Sequence, residues 1–219
     1  AQAFRSVRCS YAEGVDELPY AFDDGPEFIA RVRFPDAPML AEDRGQAFDA
    51  ALRLLHLIAG VSYYKAGVPA RIEIANGAID EATASLLDEL YLHGLAEFAY
   101  RNGLDLRGRI EFPIVSSSRP RSSWPWMAAL GRDPEPGTEK LPPRTLVPIG
   151  GGKDSLVVVE ALKAIDAEVA AAWVGSSPLI AAVAARTGLP TLNISRELSP
   201  LLFEYNRTGA WNGHVPVTA

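Results

Sequence analysis

The chain has 219 residues, of which 48% are hydrophobic and 22% are charged, which excludes an intrinsically disordered chain. Its 27 acidic residues outnumber its 21 basic ones, and the net charge of -6 argues against general nucleic-acid binding. The single cysteine, Cys9, excludes an internal disulfide and a zinc site built from cysteines. We therefore expect a cytoplasmic protein with no nucleic-acid partner and no membrane partner.

Residues 1–115 carry short alternating patterns followed by helical ones, which predict an α+β domain that opens with an antiparallel meander. Phe28, Ala30, Val32 and Phe34 share one side of a strand. The apolar spacing predicts helices over 44–60 and 80–103, the second with Asp80 as its N-cap. Shorter strands are predicted at 70–75 and 109–115.

Seven of the 17 prolines lie between positions 113 and 143, and this segment predicts an interruption of regular structure. We place a linker at 116–143. Residues 144–219 then alternate as strand 145–149, helix 154–165, strand 169–174, helix 178–186 and strand 191–194. This order is typical of a parallel α/β domain. The chain does not begin with Met, and its last residues resemble the middle of an element, so we expect a fragment of a longer protein.

Glycines occupy the junction between the strand at 145–149 and the helix that follows it. Gly150, Gly151 and Gly152 leave backbone N–H groups free to surround an anion, and the helix start adds a positive dipole end. Lys153 adds a positive charge and Ser155 a hydroxyl. Asp154 cannot bind a phosphate directly and suits a magnesium ion or a substrate amine. The loop therefore predicts a phosphate site, and a purely structural turn is the alternative.

Two common nucleotide motifs do not fit this loop. The Walker A motif fails because Asp154 follows Lys153 and because Val147 stands at the upstream glycine position. The dinucleotide fingerprint fails because Ser155 replaces the last glycine, and no acidic residue ends the second strand. The segment 150–155 resembles the PP-loop of the ATP pyrophosphatases, SGGxDS, with Gly150 in place of the first serine. This resemblance implies ATP and Mg²⁺ as cofactors, Asp154 as the metal ligand, and a PP-loop/HUP-like α/β domain that is incomplete here.

Together with 60–66 and 206–219, the loop and linker resemble the UDP-N-acetyl-muramoyl-L-alanyl-L-glutamate epimerases, whose members are considerably longer. The resemblance implies that ATP activates the terminal L-glutamate of this peptidoglycan precursor as an acyl-adenylate. The glutamate is then inverted to D-glutamate, and AMP and pyrophosphate are released. Other adenylating PP-loop enzymes, such as an amidotransferase or a tRNA-modifying ligase, and a non-catalytic nucleotide-binding module are the alternatives. The single cysteine and the acidic balance count against tRNA modification.

An epimerase needs a base and an acid, and the residues do not assign these roles. Lys65 and Tyr64, with Tyr63, are candidates because we place them in a loop after Gly60, where side chains can reach a ligand. His214 and Lys153 complete the catalytic set. His56 and His93 lie among leucines and are typical of packed or solvent-facing histidines. Weaker candidates for contacts with rings or phosphates are Trp124, Trp126, Trp211, Arg119, Arg121 and Arg132.

Overall fold

A computed structural model describes residues 1–23, 25–35, 45–75, 79–114, 144–165 and 168–213. The strands are β1 (Ala3–Ser6), β2 (Ser10–Ala12), β3 (Val15–Phe22), β4 (Phe28–Arg33), β5 (Arg71–Ile74), β6 (Thr145–Pro148), β7 (Val169–Val174) and β8 (Thr191–Glu197). The helices are α1 (Gly45–Ala59), α2 (Val61–Gly67), α3 (Glu81–Gly94), α4 (Ala96–Asn102), α5 (Lys153–Ala164), α6 (Pro178–Arg186) and α7 (Pro200–Arg207).

The strands form one mixed sheet in the order β5-β1-β3-β4-β8-β7-β6, with β2 paired to β3. Strands β1 to β4 are joined by antiparallel pairs, as expected for the predicted meander, although β1 also pairs in parallel with β5. Strands β6, β7 and β8 are parallel. The sheet is joined at β8, whose first half pairs with β7 and whose second half pairs antiparallel with β4.

The main core lies between the strands of the N-terminal half and helices α1 to α4. Alternation brings Leu18 and Tyr20 of β3 to the same face as Phe28 and Ala30 of β4, and all four are fully buried. The hydroxyl of Tyr20 donates to the carbonyl of His56 at 2.7 Å. Burial of these large apolar surfaces is the dominant favourable term in folding this half.

The end of α1 and the glycine that follows it pack closely against two buried tyrosines. The Tyr91 hydroxyl donates to the carbonyl of Leu57 at 2.7 Å, and so satisfies one of the carbonyls that a helix end leaves unpaired. A Cβ atom on Gly60 would lie 2.7 Å from this hydroxyl oxygen and 3.0 Å from the ring of Tyr20. Gly60 therefore does more than end the helix, because only glycine admits both tyrosines.

The predicted helix over 80–103 is two helices, α3 and α4. Asp80 is the N-cap, as predicted, and its Oδ1 accepts a hydrogen bond from the N–H of Thr83 at 2.8 Å. Gly103 ends α4 in the left-handed conformation. The strand predicted at 109–115 is wrong: the described part makes a single bridge between Ile79 and Ile114. Its Phe112 N–H donates to the side chain of Asp88 instead of to a neighbouring strand.

The order of strands and helices from position 144 to β8 is as predicted, but helix α7 after it was not predicted, and the fold class needs one correction. The protein is mixed α/β, and the expected PP-loop/HUP-like second domain is not present in this chain. Pairing of Arg31 to Arg33 with Ser195 to Glu197 joins the parallel strands to the N-terminal sheet. Among the described residues, the buried cluster beside α5 is also small, with five members, against 25 in the main core. The domain limits at 115 and 143 border residues outside the described ranges and stay a prediction.

Helices able to cross a membrane were sought among the described residues, and none is both long enough and apolar enough.

Two titratable side chains are buried on the core side of β3 and α1. Asp16 has no exposed surface, and neither of its oxygens has a hydrogen-bond partner among the described residues. Burial raises the pKa of Asp16 from 3.8 to about 7. His56 is also buried, contacts the carbonyl of Pro19 through Nε2 at 3.0 Å, and has its pKa lowered by burial to about 4. Each group resists ionisation, because its charged form would lose its hydration.

The buried carboxyl of Asp16 makes stability fall as the pH rises. The folded state binds this proton more tightly than the unfolded state, so stability is fully present below about pH 3.8 and is lost as the pH rises through 7. Asp16→Asn keeps the shape and removes the ionisation. We expect it to raise the free energy of unfolding at pH 8 by roughly 2 to 4 kcal/mol, since one pKa unit is worth about 1.4 kcal/mol.

Urea unfolding at pH 4, 6 and 8 measures this effect. In Asp16→Asn the depressed pKa of His56 still contributes, and it makes stability rise with pH between about 4 and 6.5. If the free energies of unfolding of the native and variant proteins changed in parallel between pH 4 and pH 8, the assignment of the pH dependence to Asp16 would be contradicted.

Candidate active site

The glycine loop lies at the carboxyl end of β6 and leads directly into α5. Gly151 has a positive φ of 78°, and a Cβ atom there would lie 3.3 Å from the side chain of Ile180 at the start of α6. Gly150 and Gly152 have open space where a side chain would stand. The loop is therefore tight at its middle position and open on either side of it, which leaves room for a ligand beside the backbone.

The start of α5 leaves its first N–H groups without a side-chain cap. Gly152 is the N-cap residue in an extended conformation, and no side chain bonds the first turn from this position. The hydroxyl of Ser155 donates to the carbonyl of Gly152 at 3.1 Å. Lys153 and Asp154 are exposed and form an ion pair at 2.8 Å. A phosphate here would find backbone donors, the helix dipole and a mobile ammonium group together.

A metal ion at this loop would need ligands from elsewhere. No group of three or more His, Cys, Asp or Glu residues among the described parts of the chain could hold a metal ion. Asp154 is one exposed carboxylate. Magnesium is commonly bound by one or two carboxylates together with the phosphates of a nucleotide, so Asp154 fits an ion that arrives with ATP.

The segment after Gly60, predicted as a loop, is the helix α2. This prediction is wrong because the segment packs into the core: Tyr63 and Tyr64 are fully buried. The hydroxyl of Tyr64 donates to the carbonyl of Pro69 at 3.2 Å, and burial raises its pKa to about 12. The Tyr63 oxygen accepts a hydrogen bond from the N–H of Ser199 at 3.0 Å. Both rings thus have packing roles, and a catalytic role for Tyr64 stays a prediction.

Lys65 is the candidate from this segment that retains partial exposure. Its ammonium group donates to the carbonyl of Gly213, more than 100 residues further along the chain. Burial and the nearby charge of Arg196 lower the pKa of Lys65. Arg196 itself donates to the Ser62 hydroxyl at 3.1 Å and to the Ala59 carbonyl at 3.3 Å. The structure thus brings two cations together beside α2.

Arg196 was missed in the sequence because nothing in an alternating strand distinguishes it from a surface arginine. It is the penultimate residue of β8. Since β6, β7 and β8 are parallel, their carboxyl ends lie at one edge of the sheet, with β7 between the other two. The glycine loop follows the end of β6 at this edge. The loop and the Lys65–Arg196 pair therefore belong to the same edge, where open α/β sheets bind ligands.

The other candidates divide into those the structure describes and those it does not. His56 is packed, as described above, and His93 is exposed and paired with Glu89 at 2.8 Å, so both histidines have the structural roles expected of them. Trp211 is partly exposed, and its backbone N–H donates to the Ala66 carbonyl at 3.2 Å. The candidates outside the described residues are His214, Trp124, Trp126, Arg119, Arg121 and Arg132.

Comparison with known proteins gives a family for the whole chain. The family model described as the MurL N-terminal domain matches residues 1–219. The chain is 52% identical, over 99% of its length, to a UDP-N-acetyl-alpha-D-muramoyl-L-alanyl-L-glutamate epimerase of Xanthomonas oryzae pv. oryzae, of which it covers 46%. Proteins of the same name from Micromonospora sp. and Salinispora tropica are 36% and 38% identical over 100% and 82% of the chain.

The chain covers 47% of the Micromonospora relative and 36% of the Salinispora one, so it spans less than half the length of each of the three. This confirms the expectation that family members are considerably longer. No solved structure matches the chain.

The conformation of the loop allows a test with two neighbouring glycines. Gly151→Ala places a side chain at a positive φ and against Ile180, whereas Gly152→Ala places it at a φ of -89° with no atom within 4 Å. We expect Gly151→Ala to lower the free energy of unfolding by about 1 to 2 kcal/mol, the cost of a left-handed residue with a Cβ atom. Gly152→Ala is the matched control and should change it by less than about 0.5 kcal/mol. Urea unfolding measures both, and equal effects would contradict this geometry.

Proposed function

We propose, because the chain belongs to the MurL N-terminal domain family, that it forms part of a UDP-N-acetyl-alpha-D-muramoyl-L-alanyl-L-glutamate epimerase of peptidoglycan precursor synthesis. The observation that carries the proposal is 52% identity over 99% of the chain to the Xanthomonas oryzae protein of that name. In this proposal the enzyme is cytoplasmic, and its substrate is the nucleotide-linked dipeptide. It inverts the terminal L-glutamate to D-glutamate.

The proposal includes ATP and Mg²⁺ at the glycine loop. A free carboxylate makes the neighbouring C–H bond hard to deprotonate, because the new negative charge would lie beside an existing one. Joining the carboxylate to AMP, with release of pyrophosphate, lets the carbonyl oxygen accept that charge. Water then releases AMP after the proton has been returned to the opposite face. This chemistry explains why an isomerisation would consume a nucleotide.

Three features of the loop support phosphate binding there. The first-turn N–H groups of α5 lack a side-chain cap, and the backbone around Gly150 and Gly152 is open. The ammonium group of Lys153 is exposed beside them. In the proposed complex the backbone donors hold the phosphates, Lys153 neutralises their charge, and Asp154 orients the magnesium ion that accompanies them.

Lys65 is our proposed proton-transfer residue. Its pKa is lowered by burial and by Arg196, which increases the neutral fraction that can accept a proton. Tyr64 is a weaker choice because its hydroxyl is buried and its raised pKa, about 12, keeps it protonated. In this proposal Arg196, which lies near Lys65, attracts a carboxylate of the acidic substrate towards it.

The function can be tested in an extended protein that joins these 219 residues to the region the Xanthomonas oryzae relative carries outside the matched part. We expect AMP release from ATP and Mg²⁺ only when the UDP-linked L-alanyl-L-glutamate substrate is present. Lys153→Met should raise the KM for ATP about tenfold or more, because a charged hydrogen bond is worth about 1.5 to 3 kcal/mol. Lys163→Met removes the same charge near the other end of α5 and should leave this KM within about twofold.

Other results would identify the alternatives. AMP release with a different acceptor would indicate another adenylating enzyme. ATP binding without AMP release under any condition would indicate a nucleotide-binding module.

The role of Lys65 can be separated from nucleotide activation. In the extended protein, Lys65→Met should slow exchange of the glutamate α-proton with solvent deuterium by about 100-fold or more, the usual contribution of a positioned base. Exchange of labelled pyrophosphate into ATP should persist, since it reports adenylation. Lys65→Arg keeps the charge and a donor for the Gly213 carbonyl but cannot act as the base, so it should lose proton exchange equally. Restored proton exchange in Lys65→Arg would assign Lys65 a structural role.

A further inference from the structure

Helices α5 and α6 cover only one face of the parallel strands. The path β6-α5-β7-α6-β8 moves in one direction across the sheet, and successive right-handed crossovers in one direction place their helices on the same face. The buried cluster confirms this arrangement. Val147 of β6 and Val169 and Ala171 of β7 pack with Val159 of α5 and Ile180 of α6. All three strand residues occupy alternate positions of one face.

The opposite face of β6 and β7 is apolar, and among the described residues most of it is exposed, although Ala172 in the middle of its β7 row is buried. Leu146 and Val174 are 56% and 55% exposed, and Pro148 is also exposed. The register places Leu146 beside Ala170 and Pro148 beside Ala172. Parallel sheets are normally covered on both faces, so this surface is unusual for a folded chain. We refer to Leu146, Pro148, Ala170 and Val174 as the open face.

The helices of the N-terminal half stop short of the open face. Arg196 and Ile194 of β8 occupy alternate positions of one strand face, and Arg196 contacts Ser62 of α2 while Ile194 packs against the main core. The register continues this side of the sheet from Ile194 to Val174 of β7. The helical layer therefore reaches β8 and ends there, and the next two strands carry apolar side chains without a covering layer among the described residues.

The open edge of β6 indicates what kind of element could cover this surface. The N–H groups of Thr145 and Ile149 donate to the carbonyls of Glu168, just before β7, and of Ala172 in β7. The intervening Leu146 and Pro148 therefore direct their backbone groups to the other edge. Pro148 has no N–H group to offer a further strand. An added strand is disfavoured at this edge, and an element packed onto the face is favoured.

We propose that the open face is the docking surface for the region that the longer relatives carry outside the matched part, which contributes an apolar helical surface to it. The relative lengths support this occupant, because the matched part is only 46% and 47% of the Xanthomonas and Micromonospora proteins. A region of that size has its own core and can supply a packed helix. The docked region would lie beside the glycine loop, which begins two residues after Pro148.

Thiol labelling tests this surface without any need for ATP, substrate or activity. Leu146→Cys and Val174→Cys are each introduced into the 219-residue chain and into the extended protein. Leu86→Cys is the matched control, because Leu86 is 43% exposed on α3 in the N-terminal half. Labelling at each site is followed by peptide mass spectrometry, which separates it from the native Cys9. We expect labelling at positions 146 and 174 to be at least tenfold slower in the extended protein, and labelling at position 86 to be unchanged.

Each other outcome overturns the proposal. Equal labelling rates at 146 and 174 in both proteins would show that the open face is not covered. Protection that appears in the 219-residue chain alone and grows with its concentration would show that a second copy is the occupant. If the extended protein does not fold, the region from the Xanthomonas relative is added as a separate polypeptide in excess, and unchanged labelling would again reject docking. Because no readout depends on catalysis, failure here is distinct from failure of the proposed function.

Discussion

Burial of the short helix α2 is the constraint on which the rest of this structure depends. Five of its seven residues are buried, and a seven-residue helix has little stability of its own. Its stability must come from tertiary contacts, which it makes with both ends of the chain. Tyr63 accepts from Ser199, and Ala66 accepts from Trp211. Aromatic packing against Phe4 and Tyr91 joins the same helix to β1 and α3. Strand β1, helix α3 and the C-terminal segment are thus positioned by about two turns of helix.

The two parts of the candidate site depend on interactions of different range along the chain. The glycine loop depends on local backbone geometry: a positive φ, a parallel strand before it and a helix after it. The Lys65–Arg196 pair depends on contacts between residues more than 100 positions apart. Both lie at the carboxyl ends of the parallel strands. A net negative chain that concentrates cations at one edge favours an anionic ligand there.

The sequence predicted the elements with strong local signals and missed those that tertiary contacts create. Asp80 and Gly103 mark helix limits through backbone geometry and hydrogen bonds within a few residues, and both were recognised. The helix α2 was predicted as a loop because two tyrosines and a lysine after a glycine carry no clear period. The pairing of β4 with β8 joined what alternation alone had divided into separate sheets, and no local pattern encodes a partner so distant. Arg196 was missed for the same reason, since its partners are defined only once that pairing exists.

The pairing of β4 with β8 also affects how the chain is made. Arg33 and its partner Ser195 are separated by 195 - 33 = 162 positions. At ribosomal speeds of about 5 to 20 residues per second, β4 would wait roughly 8 to 30 s for its neighbour. A strand edge left open for that time can pair with another nascent chain. Arg31, which pairs with Glu17 of β3 at 2.8 Å, and Arg33 place charged side chains on β4, and charged side chains on an exposed strand disfavour side-by-side pairing of copies until β8 emerges. The arginines would then serve the growing polypeptide as protection against aggregation as well as the finished sheet.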